Sequence, residues 1–364
     1  GSATLSCHSP PSVSGARYKT LRPLDHEADV HLSLKFDLRA PSWGTPAHEL
    51  YAAALEQCEW ADQIGFDVVR FLEHHGSEDG YCPSPLAMSA AVAARTRRVR
   101  IRARAFILPL HDPVRVAEDC AVIDLISRGR FELVVAGGYL ESEYAMFGRS
   151  LEDRAQLVEE GVEALKQAWT GEPFEYRGRP ARVALRPFRR PRPPISLGGS
   201  SKAAARRAAR IADGFEPTRR ALFDDYEAEC LRLGVVPGPP PPAMVPGQFL
   251  YVSEDVEASW QALAPHLMHE MNSYGSWLAE AGAHAIYEPI SDLDELRATS
   301  TYNVVTPQTC LELARGLGPM GSLEFHPLVG GADPALGWTC LRLFERDVLP
   351  TLIEEDLVTL EPVS

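Results

Sequence analysis

Residues 61–75, Ala61-Asp62-Gln63-Ile64-Gly65-Phe66-Asp67-Val68-Val69-Arg70-Phe71-Leu72-Glu73-His74-His75, carry the change of period that decides the fold. The opening residues close a helix-spaced run, Gly65 suits a left-handed helix C-cap, and a β-branched apolar strand follows. That strand delivers two imidazoles into the loop beyond it. In parallel α/β architectures chemistry gathers at the carboxyl ends of strands, so the segment after Leu72 is where function is expected.

Working outward, strand-like runs alternate with longer helical stretches, the pattern of a parallel sheet. Eight strands are expected: His31–Leu38, Asp67–Leu72, Val99–Leu108, Phe131–Ala136, Ile195–Leu197, Asp213–Glu216, Val245–Val252 and Ser322–Val329. Helices are expected near 47–64, 84–95, 113–127, 151–169, 201–212, 220–233, 254–270, 307–317 and 334–354. Eight β/α repeats favour a closed (β/α)8 TIM barrel, an α/β fold, with room for insertions in 364 residues. Residues 1–30 read as a loose extension and 31–364 as one domain. Pro237-Gly238-Pro239-Pro240-Pro241-Pro242 reads as a stiff connector before the seventh strand. A long segment, about 265–306, reads either as a lid or as a helical hairpin packed on the barrel. Most strands look apolar on both faces; the alternating arginines of Val99–Leu108 and the Arg95–Arg104 stretch suggest a solvated face.

Composition excludes several classes. A formal charge of −14 disfavours nucleic acid and anionic membranes, and no apolar run is long enough to span a bilayer. Seven scattered cysteines without a Cys-x-x-Cys pair argue for a reducing, cytoplasmic setting rather than a disulfide or zinc framework. A nucleophile elbow, a Walker loop and a Rossmann fingerprint after the first strand are all absent from the sequence.

Three places can carry chemistry. His74 at a strand end can move a proton near neutral pH; equally, it can be a structural histidine. His75 points the other way by strand alternation. No metal is expected, because Glu73, His74 and His75 on one extended strand cannot converge on one ion. In Ile195-Ser196-Leu197-Gly198-Gly199-Ser200-Ser201-Lys202, two glycines and two hydroxyls open a helix, as an anion cradle requires. An ordinary Ser N-cap gives part of the same pattern. Ala136-Gly137-Gly138-Tyr139 after strand four lets a planar ligand lie on bare backbone, or simply supplies positive φ. His111 in the Pro109–Pro113 turn is a candidate ligand contact. Trp277, Tyr287 and Tyr302, together with His266, His269 and His284, make the 265–306 segment a candidate substrate cover.

These motifs, in this order, resemble the bacterial luciferase-like family of flavin-dependent oxidoreductases. The resemblance runs from His31 to about Leu352. It is carried by Glu73-His74-His75 with Ser84-Pro85, by Leu108–Asp119, by Asp124-Leu125-Ile126-Ser127-Arg128-Gly129-Arg130-Phe131, by Gly198–Ser201 and by Ala212-Asp213-Gly214. It implies a (β/α)8 barrel, commonly a homodimer, with a flavin, or a deazaflavin in some branches, at the C-terminal mouth. It further implies His74 as the catalytic histidine and Gly199, Ser200 and Ser201 as the flavin-phosphate stretch, joined by Gly198, Ala136, Gly137 and Gly138. The implied activity is a two-component monooxygenase in which a separate NAD(P)H:flavin reductase supplies reduced FMN, and O2 is used to oxygenate a small organic substrate, secondary metabolites included. A deazaflavin oxidoreductase and a non-catalytic flavin-binding protein are the alternatives. Where luciferase has a Cys-Arg pair after strand four this chain has Ala136-Gly137, so light emission is not expected and any phosphate-binding arginine must come from elsewhere.

Overall fold

A computed structural model describes residues 30–245, 249–282, 287, 289–318 and 320–359. The extension proposed for 1–30 lies, but for its last residue, outside the described residues, as does His284.

The strands are β1 His31–Phe36, β2 Val68–Phe71, β3 Arg100–Ile107, β4 Phe131–Ala136, β5 Phe174–Tyr176, β6 Arg179–Ala181, β7 Ile195–Gly199, β8 Gly214–Pro217, β9 Ala243–Met244, β10 Leu250–Val252, β11 Asn303–Val305 and β12 Gly321–Phe325. Among the helices are α1 Ala47–Ile64, α2 Pro85–Arg95, α3 Pro113–Ser127, α4 Glu141–Met146, α5 Arg154–Ala168, α6 Lys202–Ile211, α7 Leu222–Leu233 and α8 Val256–Glu280. They are followed by α9 Leu293–Ala298, α10 Pro307–Leu317, α11 Pro334–Asp347 and α12 Leu349–Glu354. Parallel pairing runs in the order β11-β10-β12-β1-β2-β3-β4-β7-β8, with β9 also on β12. Strands followed by covering helices give the barrel architecture expected from the alternation.

Local signals account for the element ends. Gly65 caps α1 in the left-handed region at φ 96°. Ser84 precedes Pro85 at the first position of α2, and the Asp112 carboxylate accepts the Val114 amide to start α3. Arg130, at the end of the Asp124–Phe131 motif, is buried and donates to Ser127, Thr96, Val99 and Ala93. It therefore ties α2, α3 and the start of β3 into one unit.

The strands are two-faced in an unusual sense. Leu32, Leu34 and Phe36 pack under the helices, while Ser33, Lys35 and Asp37 face inward; Ser322, Glu324 and His326 alternate likewise around β12. The expected solvated arginine face on β3 is corrected here. Arg102 is only 8 % exposed and pairs with Glu132 and Glu216, and Arg104 also pairs with Glu216, all inside the barrel. Charge complementarity fills a lumen that branched aliphatics usually fill.

Other boundaries moved. The strand expected over Val245–Val252 is seen at Leu250–Val252, with Ala243–Met244 pairing ahead of it at the opposite end of β12. The last strand stops at Phe325, not Val329. The β5–β6 hairpin, α4, α9 and β11 were not foreseen. Within 265–306, α8 runs on to Glu280 and β11 adds a parallel strand beside β10. Trp260, Leu263, Leu267 and Met271 of α8 belong to the core.

Candidate active site

β2 ends at Phe71, and beyond it the successive side chains of Glu73, His74 and His75 point to opposite sides, as expected. His74 is 6 % exposed. Its Nδ1 donates to Glu143 Oε1 at 2.8 Å, and the same oxygen accepts the His75 amide at 2.8 Å. Glu143 comes from α4, in the connection after β4. Holding Nδ1–H in this way leaves Nε2 as the reactive nitrogen. The Tyr139 hydroxyl approaches Nε2 at 3.4 Å, and burial followed by the nearby Glu143 charge pushes its phenol pKa up, so it remains a donor.

Aromatic rings box the imidazole. Trp277 lies 4.4 Å away, with Tyr81 at 4.9 Å, Tyr139 at 5.6 Å and Tyr274 at 6.2 Å between centroids. Beside them the fully buried Arg39 guanidinium sits between Tyr81, Tyr274 and Trp277 at 4.6–4.9 Å. Arg39 donates to Asp37 at 3.1 Å and Asp79 at 3.0 Å, and His269 meets Asp79 at 2.8 Å. Burial opposes ionisation of Asp79, yet His269 and Arg39 outweigh it and hold the carboxyl well below its usual range.

Glu73 and His75 point to the side opposite His74. Glu73 and His75, two apart, do converge, and His111 joins them: Glu73 Oε1 lies 3.0 Å from His75 Nε2 and 2.7 Å from His111 Nε2. The expectation concerned three consecutive residues, and Glu73, His74 and His75 do not meet at one point. His74 points away, while a turn from another strand supplies the third side chain. Burial raises the Glu73 pKa, but the two imidazole bonds and the Ile107 amide lower it further. His111 stacks on Phe106 at 4.4 Å, so its ring serves this cluster.

Across the mouth, Gly137, Gly138, Tyr139, Gly198, Gly199, Ser200 and Ser201 line one cleft of about 290 Å³. Ala136 stands behind it, its Cβ 3.7 Å from where a Gly198 side chain would begin. Ser201 caps α6 by accepting the Ala204 amide. A Cβ on Gly199 would lie 2.4 Å from that of Ala204, so only glycine lets the strand meet the helix so closely. Arg154 at the start of α5 and Arg207 on α6 complete the wall. Arg207 is paired with Glu159, whereas Arg154 has no ion-pair partner among the described residues. Tyr139 belongs to both places, lining the cleft while its hydroxyl reaches His74.

The structure places the other expected residues unequally. Trp277 covers His74, Tyr287 stacks on Tyr274 at 5.2 Å, and Tyr302 is buried with its hydroxyl on Glu270 at 2.9 Å. Sequence reading missed Glu143 as the partner of His74, and missed Arg39, Asp79, Tyr81, Tyr274 and Arg154. For Arg39 a signal existed: Ser33, Lys35, Asp37 and Arg39 alternate with apolar residues.

The model of the family described as luciferase-like monooxygenase matches residues 32–312. The chain belongs to the luciferase-like monooxygenase family. Its resemblance to individual members is partial in sequence and broad in fold. It is 29% identical to the oxygenase component of flavin-dependent trigonelline monooxygenase from Acinetobacter baylyi, over 40% of this chain and 42% of that one. It is 31% identical to 4-hydroxyprotoasukamycin monooxygenase from Streptomyces nodosus subsp. asukaensis, over 48% of this chain and 50% of that one. The chain thus spans about half the length of these curated relatives. Among solved structures, a monooxygenase from Streptomyces bottropensis superimposes with a TM-score of 0.70 at 25% identity, covering 88% of this chain and 99% of that one. The FMN complex of the oxygenating constituent of 3,6-diketocamphane monooxygenase from Pseudomonas putida shares the fold, with a TM-score of 0.68 at 18% identity over 92% and 100% of the two chains.

Proposed function

We propose that this luciferase-like chain is the oxygenase of a two-component system, taking reduced FMN from a separate NAD(P)H:flavin reductase and using O2 to oxygenate a small organic substrate. The observation that carries this reading is Tyr139, which joins the glycine-serine cleft to His74. The residues fit a phosphate-bearing flavin. Gly199 keeps the α6 N-terminus close to the strand, Ser200 and Ser201 add hydroxyls, and Arg154 offers an uncommitted positive charge. In this reading Arg154 takes the place of the arginine absent after β4.

Bound there in reduced form, a flavin supplies the electrons that activate oxygen. The chain's own residues do the rest. Glu143 fixes the His74 tautomer, and His74 Nε2 holds or returns a proton at the reacting centre. Trp277, Tyr274 and Tyr81 exclude water from it. In this reading the last turns of α8 around Trp277, with Tyr287 beyond the helix, form the lid, while Trp260, Leu263, Leu267 and Met271 anchor the rest of α8 in the core.

The test is spectroscopic. Purified protein is titrated anaerobically with reduced FMN and with a reduced deazaflavin, and oxygen uptake is then followed with a flavin reductase and candidate substrates. Binding of the deazaflavin alone replaces FMN in the reading; tight FMN binding without substrate-dependent oxygen uptake turns it into a flavin-binding protein. The homodimer implied by the family is supported by exposed Val122, Leu125 and Ile126, which share one face of α3. Light scattering of the full chain decides it.

A further inference from the structure

We propose a second ligand site inside the barrel, a cavity that takes a small organic oxyanion by its carboxylate or phosphate head. It stands independently of the flavin reading, since the cavity shares no lining residue with the glycine-serine cleft.

The cavity, about 560 Å³, lies where parallel pairing ends. β8 is one end of the hydrogen-bonded order, and among the described residues no backbone ladder joins it to β9 or β10. The chain that passes this edge is Pro239-Pro240-Pro241-Pro242, which has no amide hydrogens to offer a neighbouring strand. The tract read as a stiff connector is thus the reason for the opening. Gly238 fixes its approach, donating to the Tyr226 hydroxyl at 2.8 Å, where a Cβ would strike the Asp213 carbonyl at 2.3 Å.

The charge of the wall selects the ligand. Four guanidinium groups, Arg70, Arg102, Arg104 and Arg220, face a single lining carboxylate, Glu216. Glu132 behind Arg102 and Glu324 behind Arg70 bring the carboxylates to three, one short of the guanidinium groups. Several donors are unspent. Arg70, 4 % exposed, pairs with Glu324 through Nη1, yet its buried Nε has no partner. Arg104 bonds Glu216 through Nε only, and among the described residues nothing accepts from its Nη atoms. Unused donors in an arginine-rich wall that is buried at Arg70 and Arg102 are complementary to an oxyanion, which accepts at several points and takes guanidinium forks. Met244, Met320 and Ala243, with the proline tract, add apolar wall that suits an apolar body behind the acid head. Burial first, then the repulsion of Arg104 and Arg102 against the attraction of Glu324, lowers the Arg70 pKa to about 10.

The experiment is calorimetric titration of the full chain with inorganic phosphate and, separately, pentanoate, at constant ionic strength. Phosphate is expected at two sites, one lost in Arg154→Gln and the other in Arg104→Gln. Pentanoate is expected at one site, weakened about tenfold or more in Arg104→Gln, the scale of a lost charge-assisted hydrogen bond, and unchanged in Arg154→Gln. Phosphate binding without pentanoate binding restricts the head to phosphate, and the reverse restricts it to carboxylate. A single phosphate site abolished by Arg154→Gln, with no pentanoate heat, overturns the proposal, as does binding indifferent to Arg104→Gln. If Arg104→Gln loses its circular-dichroism signature, Arg220→Gln replaces it, because among the described residues that exposed guanidinium holds only the Pro241 carbonyl and the Phe223 face. Unchanged affinity in that variant also overturns the site.

Discussion

Glu143 Oε1 accepts two hydrogen bonds at 2.8 Å each, from His74 Nδ1 and from the His75 amide, so one carboxylate sets both the tautomer of the imidazole and the path of the backbone carrying it. Replacing His74 by Ala is expected to cut substrate-dependent turnover by about 10²–10⁴, the usual worth of a positioned acid or base. Glu143→Gln should retain flavin binding while lowering turnover and shifting its pH profile. Wild-type rates and profile in both variants, measured by oxygen uptake, would remove the pair from the mechanism.

Arg154→Gln is expected to weaken FMN binding by about tenfold or more, as loss of one charge-assisted contact does, and to leave riboflavin, which has no phosphate, unaffected. Fluorescence titration with the two flavins separates this outcome from general damage to the cleft.

Trp277→Ala opens the face of His74 that the indole covers at 4.4 Å. More hydrogen peroxide released per oxygen consumed is the expected result, because water then reaches the centre. Removal of the whole 265–306 segment is a poor test, since Leu267 and Met271 would leave the core with it.

Acid should unfold the barrel from inside. Burial opposes ionisation of Glu216, but Arg102, Arg104 and Arg70 outweigh it and lower the pKa to about 2, from an ordinary 4.5. A carboxylate depressed in the folded state contributes stability that is present above about pH 4.5 and lost as pH falls towards 2. Glu216→Gln should therefore flatten the dependence of denaturant midpoint on pH in that window. An unaltered slope would show that other carboxylates govern it.

Arg130→Met tests the sequence motif that joins β4 to its neighbours. Its guanidinium makes five hydrogen bonds to Ser127, Thr96, Val99 and Ala93, and their loss strands buried carbonyls. A decrease of about 3 kcal/mol in unfolding free energy is expected from chemical denaturation, several unmet acceptors at about 1 kcal/mol each.

Much of this was legible from one chain. Helix ends announced themselves because Gly65, Ser84-Pro85 and Asp112-Pro113 are local signals whose physics does not depend on the rest of the fold. The barrel followed from alternation. Residues whose roles arise across long separations were hidden: Glu143 meets His74 from 69 residues away, and Tyr274 meets Tyr81 across 193. The arginines of β3 misled for a related reason. Their alternation was read correctly as two faces, but a polar face toward solvent and one toward a charged lumen have the same sequence pattern until Glu216 and Glu132 are brought opposite. The β5–β6 hairpin and β11 are too short, at three residues a strand, to leave a periodic trace.

The group that orients His74 does not belong to the barrel. It rides on α4, a six-residue helix in a connecting loop, and loops accept insertion and exchange far more readily than strands. Chemistry at the histidine can thus be retuned, or silenced, by editing a peripheral segment while every barrel strand stays as it is. A scaffold arranged this way separates what must be stable from what can be varied.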